Sequence, residues 1–401
     1  MSKKTLYKLF YADPSVFNAE YDKRFHDEDT IHLDIKIGEH SAFICQSAEI
    51  LKLIISIERT NNKISQICNH LPRIALSQFQ QRCLIDEIVL TNNIEGVHST
   101  RKEISEILQD LSKNNKRERF VGLVNKYVLL MKSETLPLQT PEDVRKIYDD
   151  IFYEEIKATD PDDLPDGKIF RKSDVGVYSP TGKKIHDGLY PESKIISVMK
   201  KSLDFLNDNH YDILLRIAVF HYLFGYIHPF YDGNGRTSRF ISSYMLSQNL
   251  NKLIGYCISF TIKEHINKYY EAFKICNHYN NRGDLTPFAE MFLGIVDVSM
   301  HQLYQALSER SEKLMHYINL ITQLPNAGDE SMFRLYEYLI QAALFSNMGI
   351  SQKDLEHEMG VTYNTVRSRL KRIPEELLIT NKQGNRSFYL LNLKAVDKLL
   401  K

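Results

Sequence analysis

The apolar positions of this chain follow two different periods, and each period predicts one kind of element. From Ile31 to Ile37 apolar and polar residues alternate, which predicts a short strand with one buried face. Over most of the chain from there to about Gln139, and again from Gly235 to about Gln323, the spacing is typical of amphipathic helices. Ile213 to Ile227 is apolar almost throughout and predicts a buried helix, because it is too short to span a bilayer. The chain is therefore predicted to be mainly helical.

Two further segments interrupt the helical pattern. Ser173 to Ile185 alternates on both sides of a turn at Pro180 to Gly182, which predicts a β-hairpin. Leu324 to Glu330 brings Pro, Asn and Gly together and predicts a linker, so that a cut near Ala327 is expected to leave a folded core. These breaks predict an N-terminal helical extension with a short strand (1–70), a helical domain (71–300), a connecting helix and linker (301–330) and a C-terminal domain (331–401).

The C-terminal domain has the pattern of two helices followed by two strands. Ser351 is placed to cap a first helix, and Tyr363 to Ile373 predicts a second helix after a short turn. Two alternating segments follow, at 378–382 and 386–391, and predict a two-stranded wing. The arrangement resembles a winged helix-turn-helix domain, with the second helix as its recognition helix.

The charge of this domain leaves two roles open. Residues 351–401 contain ten Lys or Arg against six Asp or Glu, a local excess of four. If the domain binds DNA, Arg367, Arg369 and Arg372 on the second helix are the expected contacts. A domain that binds a protein partner and never meets DNA is the alternative, because this fold does not fix the function.

Composition adds exclusions rather than a function. The 401 residues are 43% hydrophobic and 25% charged, as in ordinary globular proteins, and 51 basic residues balance 51 acidic ones. No global charge therefore draws the chain to nucleic acid or to a membrane. The five cysteines are scattered without a C-x-x-C pair, which speaks against a disulfide framework or a zinc site. The start of the chain lacks an apolar signal region, so a cytoplasmic protein is expected.

The candidate chemistry is concentrated in the segment from His228 to Arg239, which reads His-Pro-Phe-Tyr-Asp-Gly-Asn-Gly-Arg-Thr-Ser-Arg. Its two glycines allow a turn whose main-chain N–H groups can face an anion at the start of a helix. Arg236 and Arg239 share one face of that helix, where cations are unfavourable unless an anion lies between them. Asp232 suits a Mg²⁺ ion that bridges to phosphates, and His228 suits a general base. The segment therefore predicts a phosphate site with a base beside it.

This segment resembles the signature of the Fic family, H-P-F-x-D-G-N-G-R-x-x-R, at every fixed position. Fic proteins typically transfer AMP from ATP to a hydroxyl side chain of a target protein, so the resemblance implies a Fic-type helical bundle with this activity. It would make His228 the catalytic base, and Asp232 the residue that holds Mg²⁺ against the α- and β-phosphates. The residues implied to bind the phosphates of ATP are Gly233, Asn234, Gly235, Arg236 and, for the γ-phosphate, Arg239.

Gly235 also bears on the type of reaction. The related Doc proteins have Lys at this position and transfer the γ-phosphate, so the resemblance favours AMP transfer over phosphorylation. The hairpin predicted at 173–187 resembles the Fic flap, whose edge holds a target segment by strand addition. Tyr269 and Tyr270 resemble a tyrosine pair beside the adenine pocket, and a purely structural role in the core is equally open. The resemblance covers roughly Leu71 to Val296.

A second resemblance lies upstream, in Thr91-Asn-Asn-Ile-Glu95-Gly96. It matches the inhibitory motif of the Fic family, [S/T]-x-x-x-E-[G/N], on a helix expected near 80–96. The resemblance implies that Glu95 pairs with Arg239 and blocks productive placement of the γ-phosphate. The same residues also suit a plain helix end, with Gly96 just beyond the last turn.

The implied partners are ATP, Mg²⁺ and a target protein with an acceptor hydroxyl on Tyr, Ser or Thr, without a membrane partner. Two alternatives stay open: a DNA-binding regulator whose Fic core only senses nucleotide, and a hydrolase that removes AMP with the help of Glu95. The target, modification of the protein itself, and a homodimer also stay open.

Overall fold

The computed structural model describes residues 4–109, 119–132, 134–178, 182, 184–384 and 386–400. Within these ranges the chain is mainly helical, which confirms the prediction from the apolar pattern. The chain divides into two compact units, the first with Met1–Asn61 and Asp86–His301 and the second with Asn62–Ile85 and Gln302–Lys401. Among the described residues, no helix has both the length and the apolar character needed to cross a membrane.

The elements from the N-terminus to the end of the long helix near residue 320 are, in chain order, α1 (Leu6–Ala12), α2 (Pro14–Phe25), β1 (Thr30–Ile37), β2 (His40–Cys45), α3 (Ala48–His70), α4 (Arg73–Ile94), α5 (Arg101–Gln109), α6 (Val121–Lys132), α7 (Pro141–Thr159), β3 (Gly176–Tyr178), β4 (Lys184–Asp187), α8 (Glu192–Leu206), α9 (Ile213–Ile227), α10 (Asn234–Asn249), α11 (Ile258–Glu264), α12 (Ile266–Asn277) and α13 (Thr286–Leu320). Three of these helices, α3, α4 and α13, contribute residues to both units.

The strand β1 is present where alternation predicts it, but it is half of a hairpin that the pattern missed. Residues 40–45 fall in a stretch predicted to be helical, and they form β2, which pairs antiparallel with β1. Gly38 makes the turn between the strands with a φ of 60°. Phe43 of β2 is fully buried, in a cluster with Leu6 and Phe17. The helical expectation was wrong here because a short apolar run has no period that separates a strand from a helix.

The helix α9 is buried on all sides, as its sequence predicts. Asp212 caps its first turn by accepting a hydrogen bond from the main-chain N–H of Leu214 at 2.8 Å. The helices α8 and α10 pack against it. At its C-terminus His228 takes a left-handed conformation, with φ 51° and ψ 64°, which ends the helix and turns the chain toward α10. The buried helix thus delivers the signature loop from a fixed position.

The predicted hairpin is present as β3 and β4, which pair antiparallel between Gly176 and Asp187, and its role as a flap stays a prediction. The turn predicted at Pro180 to Gly182 lies largely outside the described residues. The helix α7, which precedes the flap, begins with a capping box in which Thr140 and Asp143 exchange side-chain hydrogen bonds with each other's main chain.

The second unit contains α14 (Glu330–Phe345), β5 (Ile350–Ser351), α15 (Gln352–Met359), α16 (Tyr363–Leu370), β6 (Leu378–Gln383), β7 (Arg386–Leu391) and α17 (Leu393–Leu399). Its strands form one antiparallel sheet in the order β5-β7-β6. Ser351 caps α15 by accepting a hydrogen bond from the N–H of Asp354 at 3.1 Å, as predicted. The two helices and the hairpin therefore follow the predicted pattern, and β5 is an additional strand.

The predicted linker differs from what the structure contains at residues 324–330. Leu324 and Ala327 are buried, with 5% and 6% of their surface exposed. The side-chain amide of Asn326 donates to the carbonyl of Arg372 at 2.9 Å. These residues lie inside the second unit, which begins earlier in the chain than the predicted boundary. A cut near Ala327 would therefore pass through a compact unit rather than between two.

Candidate active site

The signature loop between α9 and α10 is held in shape by its own side chains. Asn234 forms two hydrogen bonds with the main chain of Phe230: its Nδ2 donates to the carbonyl at 2.8 Å, and its Oδ1 accepts from the N–H at 2.9 Å. The ring of Phe230 is fully buried and stacks on Tyr148 of α7 at 3.6 Å between ring centroids. The side chain of Asn234 thus closes the loop, and its predicted contact with phosphate would use its main-chain N–H.

Gly233 is the point where the loop enters α10, and both its conformation and its surroundings call for glycine. Its φ is 78°, in the left-handed region that other residues rarely adopt. A Cβ at this position would lie 3.2 Å from ring atoms of both Tyr148 and Phe152. The loop can therefore lie close on the aromatic face of α7 only because position 233 has no side chain.

His228 stands at the entrance to this loop and is a neutral imidazole near pH 7. Burial lowers the pKa of His228 to about 3, and the neighbouring His186 and Arg171 act in the same direction. A neutral ring can accept a proton, which is the state that a general base requires. The position and the charge state of His228 therefore both fit the predicted role.

Arg236 and Asp232 form an ion pair across the first turn of α10. The Nη2 of Arg236 lies 3.1 Å from Oδ2 of Asp232, and its Nη1 lies 3.0 Å from Oε1 of Glu155 on α7. Only 1% of the Arg236 side chain is exposed, and its guanidinium lies over the ring of Phe152 at 4.4 Å. Glu155 was not predicted, because it lies 81 positions from Arg236 in the chain. The arginine is thus held between two carboxylates and an aromatic ring.

Asp232 has the chemistry of a single magnesium ligand. About half of its side chain, 51%, is exposed. The described residues contain no group of three or more His, Cys, Asp or Glu side chains that could hold a metal by themselves. Mg²⁺ commonly binds to one or two carboxylates together with substrate phosphates and water. One exposed carboxylate beside a phosphate loop fits this mode of binding.

The predicted pair of Glu95 and Arg239 is present in the structure. The helix α4 ends just before Glu95, and Gly96 has the φ of 73° expected of the residue after a helix end. Oε1 of Glu95 lies 2.7 Å from Nη2 of Arg239, whose side chain is 1% exposed. Arg239 also donates to the hydroxyl of Thr91 at 2.8 Å and to its carbonyl at 3.0 Å. Burial acts to lower the pKa of Arg239, but the Glu95 carboxylate together with Tyr269 and Tyr270 raises it.

The carboxylate of Glu95 lies directly over Gly235. A Cβ built on Gly235 would overlap Oε1 of Glu95 and would lie 3.1 Å from Nη1 of Arg239. The inhibitory motif and the second glycine of the loop therefore occupy one small space. Glu95 can reach Arg239 only because position 235 has no side chain.

Tyr269 and Tyr270 lie beside this ion pair. Tyr269 is buried, and its hydroxyl is 2.7 Å from Nε2 of His221, a buried residue of α9 that was not predicted. Tyr270 is half-buried, and burial followed by the charge of Glu95 raises its pKa to about 12. The two rings contact each other edge to face at 5.4 Å. The tyrosines therefore adjoin the candidate phosphate site, and their contact with adenine stays a prediction.

Comparison with known proteins agrees with this geometry. Residues 138–246, which contain the loop, α9 and α10, match the sequence profile of the Fic/DOC family. The chain carries a Fic domain. A protein adenylyltransferase Fic from Drosophila virilis is 24% identical over 302 residues, which are 72% of this chain and 56% of that protein. A protein adenylyltransferase Fic from Culex quinquefasciatus is 33% identical over 111 residues, 28% of this chain and 20% of that protein.

A solved structure also resembles the chain. Residues 134–508 of Fic-1 from C. elegans superpose with a TM-score of 0.50 at 20% identity, covering 76% of this chain and 82% of that one. This likeness concerns the fold alone. The chain spans about half the length, or less, of the curated relatives named above.

The predicted DNA contacts lie outside the Fic domain, in the second unit, and differ among themselves. Arg367 on α16 is exposed and Arg369 is half-buried. Arg372 follows the helix, and its Nη1 lies 2.7 Å from Oδ2 of Asp329. An arginine engaged in an ion pair is a weaker candidate for a phosphate contact than an exposed one, so Arg367 is the strongest of the three.

Proposed function

We propose that the protein is an adenylyltransferase that transfers AMP from ATP to a hydroxyl side chain of a target protein. The observation that carries this proposal is the signature loop, in which a neutral His228 stands next to a helix start that lacks side chains at Gly233 and Gly235. Relatives that share the Fic domain are named protein adenylyltransferases. A nucleotidyl transfer needs a base and an anion cradle side by side, and this loop supplies both.

In the proposed reaction the base is His228, which accepts the proton of the target Tyr, Ser or Thr hydroxyl. The hydroxyl oxygen attacks the α-phosphorus of ATP and forms a new P–O bond. The bond from the α-phosphorus to the bridging oxygen breaks, and pyrophosphate leaves with the electron pair. A Mg²⁺ ion held by Asp232 would neutralise charge on the α- and β-phosphates.

The arginines serve the phosphates in different ways. Arg236 is fixed by Glu155 and by the Phe152 ring, so it offers a preorganised positive charge near the α- and β-phosphates. Arg239 lies one turn further along α10, where it would take the γ-phosphate through its fork of N–H donors. The main-chain N–H groups from Gly233 to Gly235 complete the cradle.

We further propose that Glu95 keeps this activity low. Its carboxylate occupies the Arg239 donor that would bind the γ-phosphate, and it adds a negative charge in the same place. ATP could then bind only with its phosphates displaced, so that the α-phosphorus would not face the attacking hydroxyl. The ion pair supports regulation by a built-in inhibitor, which acts until a change in the protein moves Glu95 away.

The experiment that tests the activity is mass spectrometry of the purified protein after incubation with ATP and Mg²⁺. We expect an added AMP group on the Glu95→Gly variant, little on the wild type, and none on the Glu95→Gly/His228→Ala double variant. ATP binding by the double variant, measured by isothermal titration, should remain. Transfer that persists without His228 would refute the role of the base, and a transferred phosphate in place of AMP would refute the reaction type.

We propose that residues 331–401 form a winged helix-turn-helix domain that binds DNA through α16. The exposed Arg367 on this helix supports the proposal, as does the hairpin of β6 and β7 that follows it. We expect Arg367→Ala to weaken duplex binding and to reduce its salt dependence by about one charge. Lys398→Ala removes an equal charge from α17 and should have a smaller effect. A gel-shift series without affinity for any duplex at low salt would favour a protein partner instead.

A further inference from the structure

Arg171 is a fully buried arginine at the base of the flap, and no part of the proposed reaction uses it. It lies five positions before β3, with none of its surface exposed. The described residues include no acidic side chain in an ion pair with it, and its donors reach main-chain carbonyls instead. Burying a guanidinium without a counter-charge is unfavourable unless its hydrogen bonds are well made. The hydrogen bonds of Arg171 therefore indicate the role of this side chain.

The contacts of Arg171 join three pieces of the molecule. Its Nε donates to the carbonyl of His228 at 2.8 Å, at the residue that ends α9 in a left-handed conformation. Its Nη1 donates to the carbonyl of Ser173, before the flap, at 2.5 Å. Its Nη2 donates to the carbonyl of Leu189, after the flap, at 2.8 Å. One side chain thus ties both ends of the flap to the main chain of the catalytic histidine.

The main chain around this side chain is arranged to accept it. The N–H of Arg171 itself donates to the carbonyl of Pro229 at 3.2 Å. The N–H of Leu189 donates to the carbonyl of Ile227 at 3.1 Å. A Cβ on Gly188 would lie 2.5 Å from Nη2 of Arg171 and 3.1 Å from the Cβ of His228. Position 188 thus needs glycine to leave room for the guanidinium against the histidine.

We propose that Arg171 is a positioning residue that fixes His228 relative to the flap, so that a hydroxyl presented along the flap edge arrives at the imidazole. The inference rests on the proposed AMP transfer for its functional meaning. The clamp, by which we mean the hydrogen bonds from Arg171 to the carbonyls of His228, Ser173 and Leu189, is present in the structure. A planar guanidinium can serve three carbonyls in fixed directions at once, whereas a lysine ammonium is a single point donor on a flexible stem. Arginine is therefore the residue type suited to this junction.

The charge of Arg171 has a second consequence for His228. The arginine lowers the pKa of the histidine, together with burial and with His186 of β4, the other titratable group that acts on it. Burial lowers the pKa of Arg171 itself and outweighs Tyr231 and Asp174, which act to raise it. Because the hydrogen bonds of Arg171 go to neutral carbonyls, its positive charge still lowers the pKa of His228.

The test uses the full-length Glu95→Gly protein as parent, with Arg171→Met and Arg171→Lys introduced into it. Self-labelling with α-labelled ATP gives the transfer rate, isothermal titration gives ATP affinity, and NMR titration of His228 gives its pKa. We expect both variants to lose about 10- to 100-fold in transfer rate, because small displacements of a reacting group have effects of this size. ATP affinity should stay within about twofold. The pKa of His228 should rise in Arg171→Met and stay near the parent value in Arg171→Lys.

Arg145→Met is the matched control. Arg145 also donates to a main-chain carbonyl, that of Ile169 at 2.8 Å, and pairs with Asp149, but it does not contact His228. We expect this variant to keep the parental rate and the parental pKa of His228.

A folded Arg171 variant that transfers AMP at the parental rate, or an Arg171→Met variant with the parental His228 pKa, would overturn the inference. If melting shows that Arg171→Met does not fold, the rate of Arg171→Lys at unchanged ATP affinity decides. A parent protein that transfers no AMP would refute the proposed function instead, and the His228 titration would still test the clamp.

Discussion

Replacing Glu95 with glycine should raise the rate of AMP transfer, and the contact of this carboxylate with Arg239 sets the size of the effect. The substitution removes one carboxylate, whose Oε1 lies 2.7 Å from Nη2 of a buried Arg239. It leaves the two hydrogen bonds from Arg239 to Thr91 in place, so the guanidinium should stay where it is. The variant therefore removes the competitor of the γ-phosphate without removing the group that binds it.

A charge-assisted contact of this kind contributes about 1.5–3 kcal/mol. Since each 1.36 kcal/mol changes a rate by tenfold, the Glu95→Gly variant should transfer AMP about 10- to 150-fold faster than the wild type. The assay is incorporation of α-labelled ATP into the protein itself at saturating ATP and Mg²⁺. ATP binding should be measurable in both forms, because the proposed inhibition acts on the placement of the phosphates.

Three further variants sharpen this prediction. Glu95→Gln keeps a side chain over Gly235 but removes the charge, so its rate should lie between those of the wild type and Glu95→Gly. Arg239→Ala in the Glu95→Gly background should lower the rate again. Glu106→Gln removes an exposed acid from the neighbouring helix α5 and should change nothing. Equal or lower labelling of Glu95→Gly than of the wild type would mean that the segment ending at Gly96 is only a helix end.

Three other changes give separate tests. Asp232→Asn should abolish the Mg²⁺ dependence of ATP binding, and an unchanged difference between titrations with and without Mg²⁺ would contradict its role. Gly235→Ala should displace the Glu95 carboxylate, because the added methyl group would overlap Oε1 of Glu95. NMR of the Glu95 carboxyl measures this displacement directly, and an unchanged signal would contradict the contact. Glu87 is buried in α4, and burial raises its pKa from 4.5 to about 7. The folded state therefore keeps a proton that the unfolded chain loses, so the free energy of unfolding of the wild type should fall as the pH rises from 4.5 to 7. Glu87→Gln should remove that fall, worth up to about 3 kcal/mol, in melting curves recorded from pH 4 to pH 8.

The sequence led to the centre of the candidate site because its chemistry is contiguous. His228, Asp232 and both arginines lie within one loop and one helix turn, so a linear motif and the physics of a helix N-terminus describe them together. Glu95 is far from this loop in the chain, and only the family resemblance indicated its pairing with Arg239.

The residues that sequence reasoning missed are supports rather than reacting groups. Glu155, Arg171 and Tyr148 come from the segment between 140 and 172 and act on the loop through tertiary contacts. A single sequence gives no spacing from which such contacts can be read. The same reason explains Asn234: its residue type suits a phosphate loop, but the structure uses its amide to close the turn.

Secondary structure was predictable where the pattern was long, as in the apolar run of α9 and in α10. It failed at β2, a six-residue apolar strand too short to show its own period. The predicted boundary near 324–330 also differs from the observed units, because Pro, Asn and Gly mark a local turn but do not tell whether that turn is buried.

The hydrogen bonds from Arg239 to Thr91 bear on how the proposed inhibition would be lost during evolution. The helix α4, which precedes Glu95, also supplies the hydroxyl and the carbonyl of Thr91 that accept hydrogen bonds from Arg239. Deleting α4 and the motif would remove both Glu95 and the Thr91 groups that hold Arg239. A point substitution at Glu95 would remove only the carboxylate. Descendants of this protein with unrestrained activity should therefore arise by single substitutions in the motif, and should keep the helix and its threonine.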